Sequence, residues 1–475
     1  MRTAIQKCGI KFLAISAGTG LISLGSNMAA AADYSCEAQS TWISNPNAPS
    51  EVPLGKNADF CEFYQFSWQW FLQLMSPSQN DATLRQFQNT DKYPILEATG
   101  HNSCDDVITS KTLVTSLNKI DLPERTGQAG TGEKGIFDQQ GNAVLYDVRF
   151  SRNLCDAGKI QQKANFTFPT TEIKTAWKQM TPSDDQSSYL IMEADIDGVP
   201  GTETLGMIGF HVAIATEDHP EMIWASFEHK DNNPTCNDTS AASQSWSFAS
   251  EACISDPSNC TWNSVSKVES LTGGTPNQTC TVHPYGTEKD DPHYDKNITA
   301  ITDLNTQINN FLLELNVDPN SSMAVLNNYF NIGALWLSDP TKPSVTSTGA
   351  PSLENQRGSL RMANTVMETS FQDGFSQTGT NHEYTSNCFG CHEFTVDANY
   401  RNTGPHNNFD VSHIFINDIL KNMCTTTTSY NAGPIWSDKD AQAKCAQTCG
   451  NKGGWMGNWR TTQPGTMSEC DCCNN

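Results

Sequence analysis

The sequence is short of positive charge and of long apolar runs, and each shortage excludes a class of protein. It holds 29 lysines and arginines against 52 acidic residues, for a formal net charge of -23 at neutral pH. Because such a surface repels nucleic acid and anionic lipid, we expect no nucleic-acid partner. Beyond the N-terminal segment, no stretch reaches the roughly 18 uninterrupted apolar residues that a spanning helix needs, so we do not expect an integral membrane protein.

The common signatures of enzyme families are also missing. The sequence shows no glycine-rich phosphate loop, no Ser-His-Asp order and no paired-carboxylate motif. Whether the protein is an enzyme therefore stays open at this stage.

The N-terminal segment, residues 1–32, predicts a secretory signal peptide. Arg2, Lys7 and Lys11 precede a short apolar run from Phe12 to Leu24, and the small residues Ala29 to Ala32 suit cleavage. The apolar run is too short to span a membrane comfortably. We expect a secreted or periplasmic mature protein; the alternative is a buried N-terminal helix.

Cysteine is abundant, with 17 residues, which is too many for a reducing cytosol. Setting aside Cys8 in the signal and the pair Cys388 and Cys391 leaves an even number. This predicts up to seven disulfides, whose pairing is mostly not deducible from the sequence.

The stretch Cys388-Phe389-Gly390-Cys391-His392 has the spacing of a c-type haem attachment site. Two thiols three positions apart reach the two vinyl groups on one edge of a haem, and the adjacent histidine then ligates the iron as its proximal ligand. The alternatives are an ordinary disulfide, or a zinc site, which needs a further ligand pair that does not stand nearby. The motif occurs once, so it predicts one covalent haem c.

The sixth iron ligand is the main open question. Methionine raises the reduction potential and histidine usually lowers it, whereas an empty sixth position permits peroxidase-like chemistry. Candidates before and after the motif are Met362, Met367, His382, His406, His413 and Met423. His413 lies in an apolar run near a predicted helix start, where a hydrogen-bonded core histidine is the alternative.

Hydrophobic periodicity predicts a mixture of helices and strands. Helices are expected over 61–75, 171–180, 301–316 and 362–369, a strand over 142–151, an apolar strand or helix over 323–337, and a hairpin over 205–231 that turns at Glu217–Pro220. Residues 231–295 predict a disulfide-tied loop region beside that hairpin.

The C-terminal segment, residues 432–473, predicts a small helix-on-sheet unit after a linker-like stretch at 424–429. A helix is expected from about Asp438 to Thr448, followed by strands over 454–462 and 467–472. Cysteines four apart share a helix face and cysteines two apart share a sheet face. We therefore expect the pair Cys445 and Cys449 to form two disulfides with the pair Cys470 and Cys472, and Cys473 to pair with Cys424.

Several blocks of the longer segment resemble a family of uncharacterised bacterial secreted cytochrome c-like proteins. The resemblance runs from about residue 60 to 415 and is carried by residues 209–212, 222–229, 363–365, 367–369 and the NCFGCH motif. It implies that the hairpin and the haem segment form one unit, which makes His211 and His229 further candidates for the sixth ligand. It implies no substrate.

The C-terminal segment is similar to the repeat of the microbial mannan-binding lectin family, through residues 432–437, 441–442, 457–461 and 467–468. The resemblance implies metal-free binding of mannose-containing glycans, with Trp436 and Trp459 stacking on sugar faces and Asp438 and Asn458 as hydrogen-bond partners. The alternative is that both tryptophans pack the small core. The chain departs from the family in carrying one repeat, with cysteines, where the founding lectin has two without them.

The sequence thus predicts an α+β protein with a haem-bearing domain over 33–424, whose haem segment is 360–424, and a disulfide-tied domain over 432–473. The expected function is electron transfer by a monohaem c-type cytochrome, with a redox partner protein or a small electron carrier, and a glycan tether. The alternatives are a peroxidase-like haem enzyme and a glycan- or envelope-binding protein with structural haem.

Overall fold

The computed structural model describes residues 35–79, 81–94, 112–113, 134–154, 168–196, 201–238, 240–241, 244–260, 266–267, 270–315, 321–342, 354–372, 376–377, 382–383, 387–392, 427–436, 438–449 and 455–473. The predicted signal peptide lies outside these residues. The described elements combine helices with antiparallel sheets, which confirms the α+β class.

The helices are α1 (Thr41–Ser44), α2 (Phe60–Met75), α3 (Glu251–Ser255), α4 (Tyr294–Leu315), α5 (Cys388–His392) and α6 (Asp438–Cys449). The strands are β1 (Thr112–Leu113), β2 (Lys134–Gly135), β3 (Leu145–Phe150), β4 (Thr170–Gln179), β5 (Ile191–Ile196), β6 (Thr202–Ala215), β7 (Ile223–His229), β8 (Ser266–Lys267), β9 (Tyr329–Leu337), β10 (Gln356–Gly358), β11 (Ser376–Gln377), β12 (His382–Glu383), β13 (Thr427–Gly433), β14 (Trp455–Gln463) and β15 (Met467–Cys473). Among the described residues, no helix is both long enough and apolar enough to cross a membrane.

An eight-stranded sheet organises the larger part of the chain. Its antiparallel path runs β3, β4, β6, β7, β9 and β10, while β5 pairs with the first part of β6 and β1 pairs with β5. The predicted hairpin is confirmed as β6 and β7, with His211 opposite Ser226 and Ala213 opposite Trp224. All seven residues of β7 are buried, as expected for a strand with neighbours on both sides and both faces covered.

One face of the sheet is covered by α2 and α4. A capping box between Asp59 and Glu62 begins α2. The ring of Phe71 in α2 stacks on Phe227 in β7 at 4.1 Å. The predicted apolar stripes therefore serve the core, and a hydrogen bond from Tyr64 to Asn297 joins α2 to α4.

Two of the predicted helices are wrong. Residues 171–180 lie almost wholly in β4, because this segment is held between β3 and β6 and its Thr, Ile and Trp side chains suit a buried strand. Residues 362–369 form turns. Here Thr365 donates its backbone N–H and its hydroxyl to Glu228, and the Asn364 side chain accepts from the Val366 backbone. Side chains therefore satisfy these two N–H groups, and only a single helical turn forms, closed by the bond from the Glu368 N–H to the Asn364 carbonyl.

The described residues include five disulfides. Cys36–Cys61 ties the chain before α1 to α2, and Cys236–Cys280 and Cys253–Cys260 staple the predicted loop region. Cys445–Cys470 and Cys449–Cys472 confirm the two predicted cross-layer pairs. Disulfides in this number indicate folding in an oxidising, extracytoplasmic environment.

The C-terminal unit is a three-stranded sheet, in the order β13, β15, β14, with α6 packed on it. Its core consists of Ile435, Ala441 and the four bridged cysteines. The predicted helix and both predicted strands are confirmed. The sequence analysis missed β13: the chain enters it at Thr427, inside the stretch predicted as a linker, because β15 offers a free edge there.

Candidate functional site

Helix α5 consists of the CFGCH motif alone, so Cys388, Cys391 and His392 belong to a single short helical turn. The preceding Asn387 anchors this turn. Its side-chain amide donates to Gln356 Oε1 at 2.8 Å and to the Leu360 carbonyl at 3.1 Å. The motif is thereby fixed beside β10, at one edge of the large sheet.

The same turn packs on the sheet face opposite α2. Phe389 is fully buried in an apolar cluster with Trp224, Met362 and Leu335, and Cys388 lies against that cluster. The His392 ring lies 4.3 Å from the Trp224 ring, between centroids. Trp224 Nε1 is buried and has no hydrogen-bond partner among the described residues, although a buried N–H normally finds an acceptor.

His211 shares the sheet face of Trp224, because paired residues of neighbouring strands point to the same side and His211 opposes Ser226, two residues along from Trp224. His211 Nε2 lies 3.2 Å from Glu368 Oε2, and Lys174 Nζ lies 3.8 Å from the other oxygen. Burial alone raises the pKa of Glu368, but the charges of His211 and Lys174 and the hydrogen bonds outweigh burial and hold it below its ordinary value.

His229 lies on the other face of β7 and is a hydrogen-bonded core residue. Its Nε2 lies 2.9 Å from the Ser188 carbonyl, and its Nδ1 accepts the Asp231 backbone N–H at 3.2 Å. The ring stacks on Tyr189 at 4.0 Å. Burial lowers the pKa of His229 to about 3, so the imidazole is neutral with both nitrogens engaged.

The other sixth-ligand candidates are dispersed. Met367 is buried in a different apolar cluster, with Val366 and Ile208, whereas Met362 shares the cluster of Phe389. His382 belongs to the short strand β12. The remaining candidates, His406, His413 and Met423, lie outside the described residues.

Sequence analysis missed a buried carboxyl group on the sheet face that carries Trp224 and His211. Glu228 accepts from the Thr365 backbone N–H and hydroxyl, each at 2.6 Å. Burial raises the pKa of Glu228 to about 7 despite these hydrogen bonds. Glu228 and Glu368 lie in blocks that carry the family resemblance, but the local sequence gives neither them nor Lys174 a role, because their partners come from strands and turns far apart along the chain.

In the C-terminal unit the two predicted tryptophans have different environments. Trp436 has 71 % of its surface exposed, and its indole lies against Gly465, where an added Cβ would meet the ring at 3.5 Å. Its backbone N–H donates to Asp440, which also pairs with Lys444. Trp459 is only partly exposed and packs against the disulfide core.

The predicted polar partners of these tryptophans are placed by the backbone. Asp438 is the first residue of α6 and Asn458 belongs to β14. Also in β14, the exposed Arg460 pairs with Glu469 at 2.6 Å and with Asp471 at 3.7 Å, and it donates to Ser429. The unit therefore combines an exposed aromatic face with polar side chains held in place.

One family model matches this unit. The model described as "MVL: Mannan-binding protein" matches residues 438–472. The match covers α6, β14 and most of β15, and it supports the lectin-like part of the sequence analysis. No curated protein and no solved structure matches the chain.

Proposed function

We propose that the protein is a secreted or periplasmic monohaem c-type cytochrome with a C-terminal glycan-binding unit. One haem is bonded to Cys388 and Cys391, with His392 as the proximal ligand, and it exchanges single electrons with a redox partner protein or a small electron carrier. The observation that carries the proposal is the helical turn α5, which contains both cysteines and the histidine and rests on the buried Trp224.

The surroundings of α5 suit a haem. A bound haem supplies one-electron redox chemistry at its iron. The cluster around Phe389 provides an apolar wall that keeps water from one side of the motif. The partnerless Trp224 N–H would be available to donate a hydrogen bond to a haem held by this turn. The His392 ring, in contact with the same indole, is then held in a fixed orientation.

His211 is the sixth-ligand candidate that the described residues favour. It shares the sheet face of Trp224, and Glu368 lies within reach of its Nε2. A carboxylate on one ring nitrogen orients a histidine and raises the basicity of the other nitrogen, which is the usual arrangement for a metal-binding imidazole. His229, by contrast, faces away and uses both nitrogens within the core.

The C-terminal unit is proposed to bind mannose-containing glycan, with Trp436 and Trp459 stacking on sugar faces and Asp438 and Asn458 as hydrogen-bond partners. The matched mannan-binding model and the exposed indole support this assignment. In this proposal the unit holds the haem-bearing part of the chain, residues 33–424, close to glycan.

The deciding experiment concerns covalent attachment. The full chain, produced in an oxidising compartment with c-type haem maturation, is expected to keep a haem band on a denaturing gel and to gain the mass of one haem. Cys391→Ala is expected to lose both signals. The double variant Cys253→Ala/Cys260→Ala is the matched control, because it removes two cysteines from a disulfide and leaves the haem motif intact. A disulfide between Cys388 and Cys391 in the wild type, with no added mass, would refute the proposal.

A further inference from the structure

A cavity of about 310 Å³ lies outside the CFGCH turn and the C-terminal unit. Its floor comes from the ends of β7 and β9, through Glu228 and Phe330, and its walls come from the loops around Asn233, Trp246 and Tyr285. The volume falls at the lower end of the roughly 300–1,000 Å³ of small-molecule sites. It therefore suits a ligand of one or two rings.

The walls are held rigidly before any ligand arrives. The disulfide Cys236–Cys280 joins the loop around Asn233 to the loop that leads to Tyr285, and Thr281 exchanges backbone hydrogen bonds with Pro234 and Cys236 at 2.9 and 3.0 Å. Tyr285 is held in a left-handed backbone conformation, with φ 55°, which residues other than glycine rarely adopt. Strain of this kind persists where the surrounding structure enforces it, and it clusters at ligand sites.

The cavity lining carries both hydrogen-bond donors and acceptors, and one buried acceptor lacks a partner. Asn233 Oδ1 is buried and has no hydrogen-bond partner among the described residues, while its amide donates to Thr281 Oγ1 at 2.9 Å. The same amide donates to the Pro234 carbonyl at 3.1 Å. Because a carbonyl oxygen only accepts, this bond fixes the amide orientation and leaves Oδ1 to accept from a ligand. The carboxyl of Glu228 adds further acceptor capacity at the floor.

The lining carries ionisable groups of both signs, and His283 is among them. Lys230 and Asp238 carry opposite charges, and Glu228, whose pKa burial raises to about 7, is largely neutral in mildly acidic solution. A lining with charges of both signs, aromatic walls and an unpaired buried acceptor suits a neutral polar ligand more than it suits an ion.

We propose that this cavity binds one sugar unit, whose hydroxyl groups donate to Asn233 and Glu228 and whose apolar face packs against Trp246, Tyr285 or Phe330. The site is separate from the C-terminal unit and does not depend on haem. The chain then contacts carbohydrate at two places, once through the exposed Trp436 and once within the large domain.

The test uses the full chain carrying Trp436→Ala, which removes the exposed aromatic of the C-terminal unit. Titration calorimetry and saturation-transfer NMR with D-mannose, D-glucose and N-acetylglucosamine are expected to show saturable binding of at least one of them. Gln244→Trp places a bulky ring at an exposed lining position and is expected to weaken that binding at least tenfold without disturbing the core. Asn233→Leu, which removes the buried acceptor, is expected to do the same.

Three results would overturn the proposal. The first is absence of saturable sugar binding in the Trp436→Ala protein. The second is an affinity unchanged by Gln244→Trp, which tests occupancy of the cavity even if Asn233→Leu fails to fold. The third is preferential binding of choline, the cationic probe, which would assign the cavity to an organic cation. None of these results bears on covalent haem, so failure here and failure of the proposed cytochrome function are distinguishable.

Discussion

The imidazole of His392 lies 4.3 Å from the indole of Trp224, and this contact joins the CFGCH turn to the central hairpin. The two residues are remote in sequence, yet Phe389 and Trp224 also share one buried cluster. The hairpin face next to the proposed haem is therefore defined, and it is the face that carries His211. This placement gives the sixth-ligand question a specific answer to test.

The first prediction concerns that ligand. The purified wild-type protein is expected to be low-spin and six-coordinate in both oxidation states, and His211→Ala is expected to abolish the low-spin bands because it removes the axial imidazole. His229→Gln, which keeps a donor for Ser188, is expected to leave the bands unchanged. Optical and electron paramagnetic resonance spectra measure the result.

Two other outcomes of those spectra are equally informative. If His211→Ala keeps a low-spin spectrum, His211 is not the sixth ligand, and His413 and Met423 are the next candidates to test. A high-spin, ligand-accepting iron in the wild type would instead favour the peroxidase-like alternative.

The second prediction concerns the buried acid Glu228. Its carboxyl has an ordinary pKa of 4.5 and a folded-state pKa of about 7. Between these values the folded chain binds more protons than the unfolded chain, so this group makes the free energy of unfolding fall as pH rises, by an amount on the order of 3 kcal/mol. The full loss of stability from Glu228 is reached above its folded-state pKa of about 7, and there is no loss below its ordinary pKa of 4.5.

Comparison with Glu228→Gln isolates that contribution. Urea unfolding at several pH values from 4 to 8 gives the difference between the two proteins, in which the titrations of other groups cancel. The difference should shift in favour of the glutamine variant as pH rises through this window. A difference that does not change with pH would show that Glu228 ionises normally.

The elements that could be predicted from sequence are those whose residues make their contacts locally. The stripe of α2 and the hairpin follow from hydrophobic patterning, and the C-terminal helix and strands follow from capping and turn signals. The cysteine spacings 445/449 and 470/472 predict that the helix pair bonds to the sheet pair, because each pair shares one face, and the structure adds which cysteine joins which. By contrast, β4 resembles a helix in isolation, and only its two partner strands make it a strand.

The residues of the candidate haem site divide in the same way, into those with local contacts and those that the fold brings together. The haem motif is local, so its residues could be named from spacing alone. The surroundings of the motif are not local: Trp224, Lys174 and Glu368 are brought to one sheet face by strand pairing and by the turn at 364–369. From the sequence, His211 and His229 are equal candidates for the sixth ligand. Side chains alternate between the two faces along β6 and β7, and this alternation places the two histidines on opposite faces of the sheet.

The third prediction concerns Gly209, where strand β6 meets the turn that carries Glu368. A Cβ added at Gly209 would come within 2.9 Å of Val366 Cγ2 and 3.0 Å of Met367 Cε. Because Val366 is branched and fully buried, it yields little, so Gly209→Ala is expected to lower the free energy of unfolding by about 1–3 kcal/mol.

A double-mutant cycle checks the cause. Val366→Ala removes the methyl group that obstructs the new Cβ, so Gly209→Ala/Val366→Ala should lose less stability than the two single losses combined. Denaturant unfolding of the four proteins measures the coupling. Strict additivity would mean that the loss at Gly209 has another origin.

The last prediction concerns the exposed Trp436. With 71 % of its surface exposed, this indole contributes little to the core, so Trp436→Ala should leave the fold of the C-terminal unit intact. If the ring stacks on sugar, its removal costs about 2 kcal/mol, the size typical of an aromatic anchor, which corresponds to about 30-fold in affinity. Calorimetry of the full chain with a mannose-containing oligosaccharide, beside Leu313→Ala as an exposed apolar control on α4, measures that loss. Equal affinities in the two variants would assign sugar binding to Trp459 and the polar residues of β14 instead of Trp436, because Trp459, like Tyr430, is an aromatic side chain packed at this sheet.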